Sequence, residues 1–253
     1  MKLSIILLYY NQEKYMEKLF KSIKYANIKC EIIVIDDYSK QLFPFEKVKK
    51  IIPNTEIKLI RNKYNTKNQS YCRNLGIKHT TGDYITYMDG DDYYNSYELN
   101  KLYNNLSNKD LYLTTIITQE RINKSYFQIR NIGIPMKYPS ICIAQIIAKK
   151  KYIIDNNLYW DEIKYNWDAE DLYYGMLVLS KSNDISIIDN YFYFHKKFDN
   201  SNSDRKGRDL YNYVLYLLDM HEDVIKIDNI KYYEIFKSVI DNTVKAIGMV
   251  EYQ

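Results

Sequence analysis

Apolar positions along this chain follow two rhythms, and the alternation between them predicts the fold. Leu3–Tyr9 is a near-continuous apolar run, the pattern of a strand buried on both faces. Over 12–25 the period changes: Tyr15, Met16, Leu19, Phe20 and Ile23 fall on one helical face, with Lys and Glu on the other. Glu31–Ile35 returns to the strand pattern, Phe43–Ile51 is helical, Glu56–Ile60 alternates, Ser70–Lys78 is helical, and Tyr84–Met88 is a fourth strand. Strands and helices alternating at this spacing predict βαβ units and a mostly parallel, doubly wound α/β sheet. Such sheets bind ligands outside the carboxyl ends of their strands. Tyr10-Asn11, Asp36-Asp37 and Asp89–Asp92 are therefore expected along one rim.

The pattern loosens further on. Ser96–Leu106 is predicted helical, and Leu111–Thr118 and Tyr126–Arg130 are strands expected to pair antiparallel. Ile143–Ala148 is another strand, followed by a helix to about Asn156. A helix begins near Asp168, with Leu172, Met176 and Leu179 on one face, and Ile185–Ile188 and Tyr191–Phe194 are two late strands. Phe198–Arg208 has the composition of a loop. Two amphipathic helices fill the remainder, so the chain divides into a domain of residues 1–208 and a helical extension of residues 209–253. The apolar stripe of that extension, including Tyr213, Leu217 and Ile240, needs cover from the preceding domain, a membrane or a second subunit.

The fourth strand ends in the densest chemistry of the chain, Asp89-Gly90-Asp91-Asp92. Carboxylates crowded at a strand end repel one another unless something positive sits between them. Oxygen ligands without nearby Cys or His suit a hard cation, Mg²⁺ or Mn²⁺, whose shell substrate phosphates commonly complete. A competing reading is an acidic, solvated turn in which Gly90 supplies positive φ. An EF-hand is excluded, because the alternating acids and the Glu at the twelfth loop position are missing.

Composition narrows the classes. At 253 residues, 46% hydrophobic, with 7 Gly and 4 Pro, the chain is a packed globule without long linkers. Its charge of +4 is a diffuse excess of 36 basic over 32 acidic residues, which gives no support to a nucleic-acid partner and leaves an anionic membrane surface or a nucleotide open. The 29 tyrosines, with many Lys, Asn and Ile, read as codon bias. Cys30, Cys72 and Cys142 lack CxxC spacing, so reduced thiols in a cytoplasmic protein are expected. No run reaches the ~20 apolar residues of a membrane span. Tyr9-Tyr10-Asn11-Gln12 has no glycine, which excludes a P-loop and a dinucleotide fingerprint and weakens a nucleotidyltransferase reading. A non-catalytic nucleotide- or RNA-binding module would need a basic rim, whereas this rim is acidic.

Read in order, the rim segments resemble the family 2 glycosyltransferases of the GT-A fold. Tyr9-Tyr10-Asn11 is similar to that family's strand-Pro-x-Tyr-Asn opening, and Asp36-Asp37-Tyr38-Ser39 to its Asp-Asp-Gly-Ser. Arg73-Asn74-Leu75-Gly76-Ile77 and Gly82-Asp83-Tyr84-Ile85 are similar to Ala-Arg-Asn-x-Gly-Ile and Gly-Glu-Tyr-Ile. Asp89-Gly90-Asp91-Asp92 matches the Asp-x-Asp-Asp metal motif. Trp160-Asp161-Glu162 and Glu170-Asp171 resemble the Phe-Asp-Glu and Gly-Glu-Asp elements of the acceptor half.

The resemblance implies a Rossmann-like nucleotide-diphospho-sugar transferase fold, with residues 1–208 as the catalytic domain. It implies an inverting transfer from a nucleotide-sugar, a UDP-sugar by preference, to a glycan or lipid-linked glycan, with Mn²⁺ or Mg²⁺. Tyr10 would stack on the base and Asp37 hydrogen-bond it, with Arg73 near the diphosphate. Asp91 would bind the metal, Asp89 the ribose or a metal-bound water, and Asp171 would be the general base; Glu170 is then expected to orient an acceptor hydroxyl or support the loop. Peripheral membrane association at the inner face of the cell membrane and a homodimer stay open. The chain departs from the pattern at the opening proline, at Tyr38 and Ala169 in place of glycines, and at Phe198, where many relatives carry a His before Ser-x-Ser. His195 is the neighbouring candidate for a metal or phosphate contact. Trp160 and Trp167 read as core aromatics, Trp167 also as a platform for an acceptor sugar.

Overall fold

A computed structural model of the chain describes residues 1–122, 126–132, 146–163, 170–182 and 184–196. The expected Rossmann-like half is present: β1 (Leu3–Tyr9), α1 (Glu13–Ala26), β2 (Cys30–Asp36), α2 (Phe45–Ile51), β3 (Glu56–Arg61), α3 (Gln69–His79) and β4 (Tyr84–Asp89). Then come β5 (Tyr93–Tyr94), α4 (Ser96–Asn104), β6 (Leu111–Ile122), β7 (Tyr126–Ile132), β8 (Ile146–Lys149), α5 (Lys150–Asp155), α6 (Glu170–Ser180) and β9 (Ile185–Lys196). These strands form one sheet in the order β3-β2-β1-β4-β8-β6-β9-β5, with β7 on β6. From β3 to β4 the pairing is parallel, whereas β8 runs antiparallel to both β4 and β6.

Both faces of β1, β2 and β4 are covered, which explains their apolar runs, whereas the edge strand β3 is largely exposed. Leu3, Ile5, Leu7, Ile32 and Val34 pack with Met16, Leu19 and Phe20 of α1 and Leu99 and Leu102 of α4. Ile6, Ile33, Ile85 and Tyr87 face the opposite layer, with Cys72 and Ile77 of α3, Ile153 of α5 and Tyr174 and Val178 of α6. Register then lines up the rim: Tyr9 pairs with Asp36, and Leu8 with Asp89.

Two expectations are corrected, and one strand escaped the pattern. The two late strands are one, β9, which runs parallel to β6 with a register shift near Thr115. β5 was not visible in the pattern, since two residues carry no period. The second helix starts at Phe45, because Pro44 precedes it and Phe43 is buried in the core instead. Cys142, Trp167, the loop 198–208 and the extension 209–253 lie outside the described residues. No helix among the described residues is long and apolar enough to cross a membrane.

Candidate active site

The rim is built from loops that brace one another. Tyr9 is buried and its hydroxyl donates to the Gln41 carbonyl at 3.0 Å, whereas Tyr10, one residue on, is 47% exposed. Asn11 turns the chain with φ 53°, a left-handed conformation that Asn tolerates. Its Oδ1 accepts from the Lys40 and Gln41 amides at 2.8 and 3.2 Å, and its own amide donates to Ser39 Oγ at 3.0 Å. The loops after β1 and β2 are thereby clipped together.

Asp36 and Asp37 split their duties. Asp36 is buried and accepts from the Ser39 amide at 2.8 Å and Arg61 Nη1 at 3.1 Å, so it is structural. Asp37 is half-buried; its Oδ1 accepts from Asn62 Nδ2 (2.7 Å), the Thr66 amide (3.0 Å) and Thr66 Oγ1 (2.9 Å), and its Oδ2 from the Lys67 amide (3.2 Å). This carboxylate shapes the 62–67 loop on the rim. Tyr38 has φ 62°, which accounts for the glycine usual at that place in the resembled motif. Arg61 lies 5.1 Å from its ring, a cation–π contact that helps hold the strained residue.

At the end of β4, Asp89 is 34% exposed, Asp91 is half-buried and Asp92 is buried. Gly90 permits the close approach: a Cβ there would collide with Gln12 Oε1 and stand 2.9 Å from the Leu8 carbonyl. Among the described residues, no group of three or more His, Cys, Asp or Glu could hold a metal by itself. The donor set at Asp89 and Asp91 fits Mg²⁺ or Mn²⁺ bound by one or two carboxylates, with a ligand's phosphates completing the shell.

The element the sequence did not foresee is what Arg73 does. It is 1% exposed on α3, and its guanidinium faces Asp171 Oδ1 (3.2 Å), Glu170 Oε1 (3.4 Å) and Asp89 Oδ1 (3.5 Å), with Gln69 Oε1 at 3.1 Å. Burial alone would lower its pKa; the carboxylates of Asp171, Asp89 and Glu170 outweigh that and keep it protonated. The guanidinium also lies 4.3 Å from the Trp160 ring, which stacks on Tyr174 at 4.1 Å. Trp160 is thus a core residue. Beside Arg73, Asn74 Nδ2 donates to the Trp160 carbonyl (2.9 Å) and Glu162 Oε1 (2.7 Å), and its Oδ1 accepts from the Trp160 amide (2.8 Å). The expected site residues therefore gather at one rim: Asp89, Glu170 and Asp171 around Arg73, Asp91 two positions beyond Asp89, and Tyr10 and Asp37 on the β1 and β2 loops. Of His195 the structure describes the backbone, in β9 opposite Thr118.

A family model described as glycosyl transferase family 2 matches residues 4–170. The chain belongs to the family 2 glycosyltransferases. Among its relatives, the poly(ribitol-phosphate) β-N-acetylglucosaminyltransferase TarS of Staphylococcus aureus is 25% identical over 217 residues, 77% of this chain and 35% of that protein. The corresponding TarP of the same species is 27% identical over 76% of this chain and 62% of its own. A cholesterol galactosyltransferase of Borreliella burgdorferi is 26% identical over 76% of this chain and 59% of its own. This glycosyltransferase chain spans about a third of TarS and about three fifths of the other two. The crystal structure of S. aureus TarS 1–349 in complex with UDP-GlcNAc aligns with TM-score 0.75 and 20% identity, covering 95% of this chain and 72% of that one. The likeness shows that the glycosyltransferase has the GT-A fold.

Proposed function

We propose that this glycosyltransferase moves a sugar, with inversion, from a UDP-sugar to a hydroxyl of a glycan or lipid-linked glycan acceptor, with Mn²⁺ or Mg²⁺ at the donor. The observation that carries this reading is the meeting of Asp89, from the end of β4, with Glu170 and Asp171, from the start of α6, around one buried arginine. A donor-side carboxylate and a candidate base thus share one site. The TarS structures, solved with UDP-GlcNAc and with UDP, support the donor, and the poly(ribitol-phosphate) in the names of TarS and TarP supports a hydroxyl-bearing surface-polymer acceptor.

In this reading the exposed Tyr10 ring stacks on the base, and Asp37 hydrogen-bonds it from the 62–67 loop. Asp91 and Asp89 would hold the cation, whose chemistry would be to supply positive charge to the departing diphosphate, and Arg73 stands next to that donor site through Asp89. Asp171 takes the proton from the attacking acceptor hydroxyl. It sits in the first turn of α6, where the helix dipole favours the ionised form. Glu170 reaches the same Arg73 nitrogen as Asp171, although successive helical positions start about 100° apart, and it orients an acceptor hydroxyl or supports the loop.

Hydrolysis of a panel of nucleotide-sugars in Mn²⁺ tests the reading. Metal-dependent release of UDP from a UDP-sugar is expected. Asp171→Asn should cut acceptor transfer by about 10²–10⁴-fold while UDP binding stays near wild type. No nucleoside diphosphate release from any donor would sink it.

A further inference from the structure

Arg73 has more to hold than one charge can neutralise. Three carboxylates from two elements converge on it: Asp89 at the end of β4, and Glu170 and Asp171 at the start of α6. Its place is imposed from below, where Trp160 stacks between the guanidinium and Tyr174 and the Tyr87 and Tyr174 hydroxyls are 2.8 Å apart. Tyr174 belongs to α6, one turn beyond Glu170 and Asp171, so the helix that carries the acids also carries one member of the aromatic stack. The Arg73 Nε is buried with no hydrogen-bond partner among the described residues. Such an orphaned donor costs stability, and the fold retains it in order to present both terminal nitrogens to carboxylates. Arginine suits this task because its planar fork reaches several acceptors at fixed angles; a lysine is a single point charge.

We propose that Arg73 is a positioning residue that couples donor loading to alignment of the base. It rests on the function proposed above. With no donor, the guanidinium is shared between Asp89 and the α6 pair. When Asp89 turns to a donor and its cation, Arg73 would be left to bond Glu170 and Asp171 alone, fixing the base in the direction of the acceptor. Coupling of this kind is reciprocal: whatever loosens α6 also weakens the response of Asp89 to the donor. Arg73 itself need not touch the donor.

The experiment measures amide hydrogen exchange over α6 with and without UDP and Mn²⁺, alongside kcat and donor KM, in wild type, Arg73→Lys and Arg73→Met. In wild type, UDP with Mn²⁺ should slow exchange across α6. In Arg73→Met that response should vanish, kcat should fall about 10²-fold as for a misplaced reacting group, and donor KM should stay within about threefold. Arg73→Lys should recover part of both. If Arg73→Met does not fold, Arg73→Met/Glu170→Gln, which removes one of the stranded charges, takes its place with the same expectation. A folded variant that keeps the α6 response, or one that loses donor binding outright, would overturn the coupling; the second result would make Arg73 a donor contact. Wild-type protein that neither binds UDP nor releases it from a donor would instead overturn the functional reading beneath.

Discussion

Asp37 makes four hydrogen bonds to the 62–67 loop, so its removal does two things at once. Asp37→Ala should lower the melting temperature of the free protein, at a cost of about 1–3 kcal/mol for the donors left unpaired. It should also shrink the further rise on adding UDP with Mn²⁺, because a ligand of the folded state stabilises by mass action. Calorimetry on the free and loaded variant separates the two; a free protein as stable as wild type would show the loop to be held by other means. Adjacent acids are indistinguishable in a sequence, and only the backbone turn assigns Asp36 to the interior and Asp37 to the rim. The left-handed Tyr38 was marked only by the glycine usual at its place in the resembled motif, since nothing in a tyrosine itself announces positive φ. By contrast, the acids of β4 were legible because three of them around a glycine are rare at the end of a buried strand.

Two short braces outside the site hold the sheet and the helices in register. At the amino end of the sheet, Glu31 is buried on β2 and accepts from Lys2 Nζ (2.8 Å), Ser4 Oγ (2.6 Å) and Thr81 Oγ1 (2.7 Å), joining β1, β2 and the approach to β4. Burial alone would raise its pKa; the bonds from Lys2, Ser4 and Thr81 reverse this and bring it from 4.5 to about 2. A depressed folded-state pKa stabilises above the unfolded value, and the benefit, on the order of 3 kcal/mol, fades as pH falls from 4.5 toward 2. Wild type should therefore exceed Glu31→Gln in melting temperature at pH 6, with the gap narrower at pH 3 and closing only near pH 2; a constant gap would contradict the ionised brace. The second brace is Asn74, whose amide ties α3 to Trp160 and Glu162. Asn74→Ala should cost about 1–3 kcal/mol in urea unfolding and lower transfer more than UDP binding, because the segment it secures leads to α6. Local periodicity found the helices and strands themselves, but partners some ninety positions apart leave no periodic trace.

The molecule as a whole is weakly basic, at +4, yet its binding rim is acidic, with Asp37, Asp89, Asp91, Glu170 and Asp171 at strand or helix ends on that side. A diphosphate approaching alone meets repulsion there. UDP should raise the melting temperature strongly with Mn²⁺ and little in chelator, and Asp91→Asn should abolish the difference; an equal shift in chelator would refute a cation at the donor. The parallel half was legible because strands buried on both faces are continuously apolar; in the mixed half the strands and the antiparallel β6–β7 pair were legible too, whereas the places of β8 and β9 were not, because their pairing is decided between distant segments. That distance matters for how the protein is made. β1 to β4 all lie in the first 89 residues and can assemble as soon as they are synthesised. Leu111 of β6 must wait for Ile185 of β9, about 4–15 s later at ribosomal speed. During that interval an apolar strand, with Leu111, Leu113, Ile116 and Ile117, has one unpaired edge and can pair with a neighbouring nascent chain. The second half is thus where crowded synthesis would turn this enzyme into aggregate, and where a chaperone has its opportunity.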